Sequence, residues 1–350
     1  MVDIDKDNLP NIIDGNVPKN YELCKEGDIV FADASEDTNE VAKAVEYYNL
    51  NGKKVVCGLH TIHGRDNKNK TVVGYKGYAF SSMSFHHQIR RIAQGTKIYS
   101  INSKNFSECY VGIPSKDEQQ KIADLLRLID ERIATQNKII EDLKKLKSAI
   151  IEKVFNGKHS EKLQLNDVGS YIRGLTYSSN DVVEHGGTLV MRSNNIVNGS
   201  LLDYNNNVVF VNKQMSAEQQ LQNGDVVICM ANGSSSLVGK SSFYDGSCHS
   251  PITVGAFCGI YRSKEPIVKW LFQTNKYRRY IWNSLQGGNG AIANLNGEDM
   301  LNMSFSIPNA TIKDTCVKML TSVDSALENN MSLCALYTLQ KQHLLRLMFI

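Results

Sequence analysis

The residues of this chain best placed to do chemistry are polar side chains in glycine-rich loops, and the chemistry they suit is hydrogen-bonded recognition. In the second half they are Tyr177, Ser178, Ser179 and Asn180, then Arg192, Asn194 and Asn195, then Ser234, Ser235, Ser236 and Lys240, and the Gly287–Asn294 loop with Asn289 and Asn294. In the first half they are His60, His63, Arg65, Lys68, Lys97 and Tyr99. Taken singly, each also fits a solvated loop residue, so the loops carry the reading as groups. Catalytic patterns are missing: there is no P-loop, no Asn-Pro-Pro-Tyr motif, no glycine-rich cofactor loop after a strand and no helicase signature. His60-x-x-His63 and His86-His87 lack a neighbouring cysteine or carboxylate at ligand spacing, so no metal site is expected. Asp28 and Asp225 each follow a glycine and read as turn residues before a strand.

The elements that would hold these loops can be read coarsely. With 350 residues the chain can build two ordinary domains, and its net charge of +3 is too small to argue for any partner. No apolar run is long enough to span a bilayer, and the polar, acidic start MVDIDKDNLP does not resemble a signal peptide. Eight cysteines without a C-x-x-C pair, several in apolar runs, suggest buried, reduced thiols and a cytoplasmic protein. Short strands are expected at 29–32, 53–59, 71–73 and 106–113, with weak helix at 37–48 and a helix at 76–93. After Gly157 come strands near 163–172, 188–192, 208–211, 225–230, 243–244, 255–261 and 303–307, with a helix over 267–285.

One stretch is unambiguous. Ile122, Leu126, Ile129, Ile133, Gln136, Ile140 and Leu143 recur at alternating steps of 4 and 3, the seam of a coiled coil, and Leu146, Ile150 and Val154 extend it. Ser115, three residues before Glu118, is an N-cap signal, and Gly157 is a stop. A helix of that length with one apolar seam needs a partner. The chain supplies one, because its second half repeats the first. Ile113-Pro114 returns 194 residues later as Ile307-Pro308, and Gly27-Asp28 returns 197 later as Gly224-Asp225. The seam maps onto Cys316, Leu320, Val323, Leu327, Asn330, Cys334 and Leu344, with the polar Gln136 matched by Asn330. A polar pair in an apolar seam fixes register at a cost in stability. The expected fold is α+β: two mixed α/β domains separated by two long antiparallel coiled-coil helices, an internal repeat with pseudo-twofold symmetry.

The pattern IP-x(3)-EQ-x-KI-x(2)-LL-x(2)-ID-x(2)-I from Ile113 onward resembles the central spacer of type I restriction-modification specificity subunits. Tyr171–Ser178 with Met191–Gly199 resembles the opening of that family's target-recognition domains, and Leu344–Phe349 its ending. The resemblance implies a first target-recognition domain at 1–115, a spacer helix at 116–157, a second recognition domain at 158–310 and a second helix at 311–350. It implies a non-catalytic subunit that reads a bipartite, asymmetric target in double-stranded DNA. Arg or Lys would face guanine, Asn or Gln adenine, and Ser, Thr or Tyr phosphate. It further implies two DNA methyltransferase subunits carrying S-adenosylmethionine and two restriction-translocase subunits using ATP and Mg, with no cofactor on this chain and no membrane. Glu141, Lys144, Lys145 and Lys147 would be either a solvated helix face or a docking surface. The sequence departs from the family at one place: only 26 residues precede Gly27, and nothing matches Leu163–Asn198 in the first half. That leaves open a shortened scaffold or variable cassette copy that binds only the methyltransferase, or one module of an enzyme whose catalytic part lies elsewhere.

Overall fold

A computed structural model describes residues 1–12, 21–157, 160–285 and 293–349. They form two compact units, Met1–Ile139 with Asn330–Ile350, and Ile140–Asn329. In chain order the first unit holds β1 (Val2–Asp3), β2 (Ile29–Ala32), β3 (Ala34–Ser35), β4 (Ala44–Asn49), β5 (Thr61–Gly64), α1 (Tyr75–Ala79), α2 (Met83–Ile92), β6 (Tyr99–Ser100), α3 (Ser103–Phe106) and the start of α4 (Lys116–Phe155).

Its sheet has the order β1-β4-β2-β5. Gly27 turns the chain at a left-handed φ of 81°, which costs glycine nothing, and delivers Asp28 to the head of β2. The Asp28 carboxylate accepts the Lys25 amide at 2.7 Å and a two-pronged Arg65 guanidinium at 2.9 and 2.6 Å. Burial raises the Asp28 pKa, but Arg65, the Lys25 amide and His63 outweigh it and hold the carboxyl down at about 2. Phe31 faces the core and meets Phe80, Phe85 and Phe106 at centroid distances of 5.0, 6.3 and 4.8 Å. Glu46, fully buried in β4, accepts the Gly74 and Gly77 amides at the start of α1 and pairs with Lys76 at 3.1 Å. Ser82 caps α2 and Asn102 caps α3, each accepting the amide three residues on.

The second unit continues with the rest of α4, then β7 (Ser160–Gln164), α5 (Leu165–Val168), β8 (Gly169–Arg173), β9 (Val182–Val183), β10 (Thr188–Met191), β11 (Val209–Val211), β12 (Val226–Cys229), β13 (Ala231–Asn232), β14 (Ser241–Phe243), β15 (Ile252–Val254) and β16 (Cys258–Ser263). A 3-10 segment over Pro266–Gln273, α6 (Asn275–Leu285), β17 (Ala293–Asn294), α7 (Gly297–Leu301), β18 (Ser304–Pro308) and α8 (Ala310–Met348) complete the chain. Two four-stranded sheets, β14-β12-β16-β8 and β15-β10-β11-β9, enclose the main cores.

The internal repeat holds residue by residue. In β4-β2-β5, Ile29 faces Glu46 and Gly64; in β14-β12-β16, Val226 faces Phe243 and Tyr261, each 197 residues later. The clamp recurs at the same distance: Asp225 accepts the Gln222 amide at 2.7 Å and Arg262 at 2.8 and 2.7 Å.

In the first unit, rising positions on α4 meet falling positions on α8: Ala123 and Leu126 with Phe349, Asp130 with Lys341 at 2.6 Å, and Arg132 with Tyr337. The helix segments are therefore antiparallel. Gln136 donates to Asn330, and the Cys334 thiol donates to Asn137 at 3.3 Å. Leu126, Ile129, Gln136 and Ile140 are buried, while Ile122, Ile133, Leu143, Val323, Cys334 and Leu344 are half-buried. In the second unit Ile151 and Phe155 share a core with Leu320, and Leu327 is also buried. Lys147 is a correction: it is neither a solvated nor a docking residue. It is buried and pairs with Asp324 at 2.6 Å, 194 residues from the Asp130–Lys341 pair at both ends, whereas Leu146 is exposed.

Several local expectations differ from the structure. Residues 44–49 form a strand, not a helix, because Val45 and Tyr47 alternate against a sheet. Residues 53–59 make only a single bridge, Val56 to Leu23. Residues 71–73 lead into α1, and 106–113 holds no strand. The 76–93 helix breaks at Phe80–Ser82, where the Ser82 side chain starts α2 afresh.

The clamp predicts a contrast in stability. Arg262→Met strands the buried Asp225 carboxylate and should cost about 3–5 kcal/mol. Lys313→Met, at the partly exposed Glu265 pair, should cost less than about 1 kcal/mol. Both tryptophans, Trp270 and Trp282, lie in the second unit, so urea unfolding followed by tryptophan fluorescence reads this comparison directly.

Candidate nucleic-acid interface

In the second unit the strands β13 and β17 pair so that Ala231 faces Asn294. The Asn232 side-chain nitrogen donates to Ser193 Oγ at 3.2 Å, tying the turn over 193–195 to the Asn232–Ser236 turn. Phe257 lends its carbonyl to the Met230 and Ala231 amides and leaves its ring 63% exposed beside them. One surface thus collects the exposed Asn194, Ser234, Ser235, Asn294 and Phe257, donors and acceptors around an aromatic face.

The other sequence-selected residues are placed as follows. Ser178 spends its amide and hydroxyl on Asp181, at 2.7 and 2.9 Å, and these bonds hold that carboxyl below its usual range. Ser179 and Asn180 are exposed on the same turn, and Tyr177 is half-buried against Leu175, Val190 and Val211. Arg192 is exposed and donates to the Asn207 carbonyl at 3.0 Å. Lys240 is half-buried. Asn289 lies outside the described residues.

Three expectations are corrected. Asn195 is fully buried: its oxygen accepts the Arg192 amide, and its nitrogen donates to the carbonyls of Asp203 and Asn206, so nothing is left for a base. Arg65 is committed to Asp28, Glu22 and the Leu23 carbonyl, and His63 to Asp28 at 2.9 Å. These are scaffold contacts. The partner of Arg65 was within reach of the sequence, since Arg262 stands 197 residues on.

A second feature escapes the loop-based reading. On α6, Asn275, Arg278, Arg279 and Trp282 project from one face at helical spacing, all exposed, with Trp282 at 65%. The opposite face, Tyr277 and Ile281, packs on Gly239, and Tyr277 donates to the Gly239 carbonyl at 3.0 Å. Gly239 ends the turn that carries Ser234 and Ser235. The signal for this face is the run Lys276-Tyr277-Arg278-Arg279-Tyr280-Ile281-Trp282, which interleaves basic and aromatic residues.

The first unit repeats this layout with different side chains. Strands β3 and β6 pair Ala34 with Ser100, the register of β13 with β17. His60, whose side chain is 92% exposed, stands where Phe257 stands in the second unit, and its carbonyl accepts the Asp33 amide at 3.3 Å. Lys97 is exposed and Tyr99 half-buried in β6. Helix α2 matches α6, with Phe85 and Ile89 buried where Tyr277 and Ile281 are, and His87, Arg90 and Arg91 outward. Burial and the neighbouring Arg90 lower the His86 pKa, so that ring stays neutral and the arginines carry the charge. Asn102 and Asn296 cap α3 and α7, as turn capping requires.

No helix among the described residues is long and apolar enough to cross a membrane. Residues 7–145 and 158–333 match the type I restriction modification DNA specificity domain. Over 135 residues the chain is 32% identical to the type I restriction enzyme EcoKI specificity subunit of Escherichia coli K12, covering 36% of this chain and 28% of that protein. Over 133 residues it is 31% identical to the StySPI specificity subunit of Salmonella potsdam, again covering 36% and 28%. The matched stretch therefore spans less than a third of either relative. The type I restriction-modification S subunit from M. genitalium shares the fold, with a TM-score of 0.59 at 15% identity over 93% of this chain and 83% of that one. A structure described under complex assembly and conformational transition of the type I R-M system aligns at a TM-score of 0.52, 14% identity, 95% and 84%. With both halves matched and the same frame built twice, the chain belongs to the type I restriction-modification DNA specificity family.

Proposed function

We propose that this chain reads DNA sequence for a type I restriction-modification complex and performs no chemistry itself. The observation that supports this best is the repeated layout: in each unit a two-stranded ribbon and its neighbouring turn present hydrogen-bonding side chains, beside a helix whose outer face is basic. Side chains of that kind, held on short rigid strands, suit base edges. Arginines on a helix face suit phosphates and set register without reading sequence. Asn194, Ser234, Ser235 and Asn294 in the second unit, and His60, Lys97 and Tyr99 in the first, are the readers in this account. Arg278, Arg279, Arg90 and Arg91 are the positioners, and Trp282 adds a stacking face.

Because His60 replaces Phe257 and Ser100 replaces Asn294, the two units present different chemistry, and the target is bipartite and asymmetric. Methyl transfer from S-adenosylmethionine and ATP- and Mg-dependent translocation then belong to two methyltransferase subunits and two restriction-translocase subunits on which this chain confers its specificity. The first unit carries the ribbon and the basic helix, and among its described residues no counterpart of the Tyr177–Asn180 and Arg192–Asn195 loops is present. An alternative in which the chain is only a protein-binding scaffold predicts no DNA affinity in the presence of methyltransferase.

Two measurements test this. Co-expressed with its methyltransferase, the chain should produce one two-part methylated motif by methylome sequencing; the absence of any such motif defeats the reading. Replacing Ser234, Ser235 and Asn294 together by alanine should relax one half of that motif and leave the other intact. Arg278→Ala/Arg279→Ala should instead weaken binding to all sequences alike and make the salt dependence shallower, by roughly 0.9 in log–log slope for each phosphate that is no longer neutralised.

A further inference from the structure

Among the described residues the first unit shows no counterpart of a layer that the second unit has, and the residues at the matching positions beneath it are of a different kind. In the second unit Leu221, Val254 and Ile260 are buried in one apolar cluster, covered by Leu189, Met191 and Ile196 from β10 and the turn after it. The positions 197 residues earlier are Cys24, Cys57 and His63. The frame around them is the same: the Cys24 amide donates to the Val55 carbonyl as Leu221 donates to Ile252, and His63 faces Val30 as Ile260 faces Val227. The cover is not. β8 lies along the outer edge of β16, but among the described residues no strand lies along that edge of β5. Residues 55–57 are half-buried where β15 is buried.

The three side chains converge. Cys24 Sγ lies 3.3 Å from Cys57 Sγ, and both sulfurs and one ring nitrogen of His63 lie within 4.8 Å of one another. His63 Nε2 is held by the buried Asp28 carboxylate at 2.9 Å, the arrangement that orients a metal-binding imidazole, and Glu22 lies 3.8 Å from Nδ1. Cys24 is buried with Tyr47 and Leu50, so the thiols stand at the mouth of a small core rather than on open surface.

We propose that Cys24, Cys57 and His63 bind one zinc ion, at the three positions where the second unit packs leucine, valine and isoleucine. Two sulfurs and one imidazole are the donor set zinc prefers, and hard cations such as calcium or magnesium want oxygen instead. A tetrahedron with Zn–S bonds near 2.3 Å separates its sulfurs by roughly 3.8 Å, so the thiols need to move by only about half an ångström. One ring nitrogen of His63 is the third ligand, and the fourth position falls to Glu22 or a water. Zinc takes cysteine as thiolate, so binding releases the thiol protons to solvent. A small core is where a metal staple adds most to stability. The spacing Cys24, Cys57, His63 fits no local metal motif, because the ligands come from three separate segments.

The test uses the full chain, isolated with its thiols reduced. We expect one zinc per chain by elemental analysis, and, on exchange for cobalt, a thiolate-to-cobalt charge-transfer band in the near ultraviolet. Cys24→Ser and Cys57→Ser should each abolish the band, and chelation should lower the melting temperature of the parent chain. Should those variants not fold, the triple variant Cys24→Leu/Cys57→Val/His63→Ile installs the second unit's apolar residues; it should fold, bind no cobalt and be indifferent to chelator. A parent chain that takes up no cobalt, a band that survives in the triple variant, or a Cys24–Cys57 disulfide in chain isolated without oxidant would each overturn the proposal.

Discussion

A carboxylate at the head of a central strand, gripped by an arginine from the strand beside it, fixes both units. Asp28 with Arg65 and Asp225 with Arg262 join a glycine turn, a central strand and its neighbour at one point, and each aspartate is nearly sealed from solvent. A buried charge of this kind tolerates no alternative partner, because leaving it unpaired costs several kcal/mol. Register follows. A slip of one residue would turn Phe31 or Ile228 out of the core and pull the arginine off its carboxylate. The candidate recognition surfaces inherit that precision, since His60 and Phe257 lie on the turns that enter the clamped strands, and the ribbons β3·β6 and β13·β17 begin just after the central strands end.

Much of this was legible in the sequence, and the reason is periodicity. The alternating 4 and 3 spacing from Ile122 to Leu143 could only be a helical seam, and α4 spans Lys116–Phe155. The recurrence of Gly-Asp and Ile-Pro pairs exposed the duplication without any structure. The short strands were harder. Val45 and Tyr47 alternate over too few residues to outweigh the helix formers around them, and 53–59 reads as a strand because its counterpart Ile252–Val254 is one. Among the described residues of the first unit no partner strand completes that ladder.

Recognition residues were legible as loops and not as atoms. Asn194 and Asn195 are adjacent and chemically identical, yet one is exposed and the other is consumed by three backbone groups. Only the turn that joins Arg192 to Asn207 separates them. His63 and Arg65 stand out in the sequence for being polar beside glycine, and that same property suits a clamp. The basic face of α6 is easily passed over, because a helix that supplies Tyr277 and Ile281 to the core reads as structural, although a helix has a second face.

The two units show how a duplicated frame can be finished in different ways. The clamped three-stranded sheet, the ribbon and the basic helix recur in both. Among the described residues the β10 layer and the loops it carries are found in the second unit, packed on that same frame. At the positions beneath that layer the first unit has two thiols and an imidazole where the second has leucine, valine and isoleucine. Sequence divergence between the halves is therefore of two kinds: exchange on the outer surface, as at His60 and Phe257, alters the exposed chemistry, and exchange further in, as at Cys57 and Val254, alters what the frame packs.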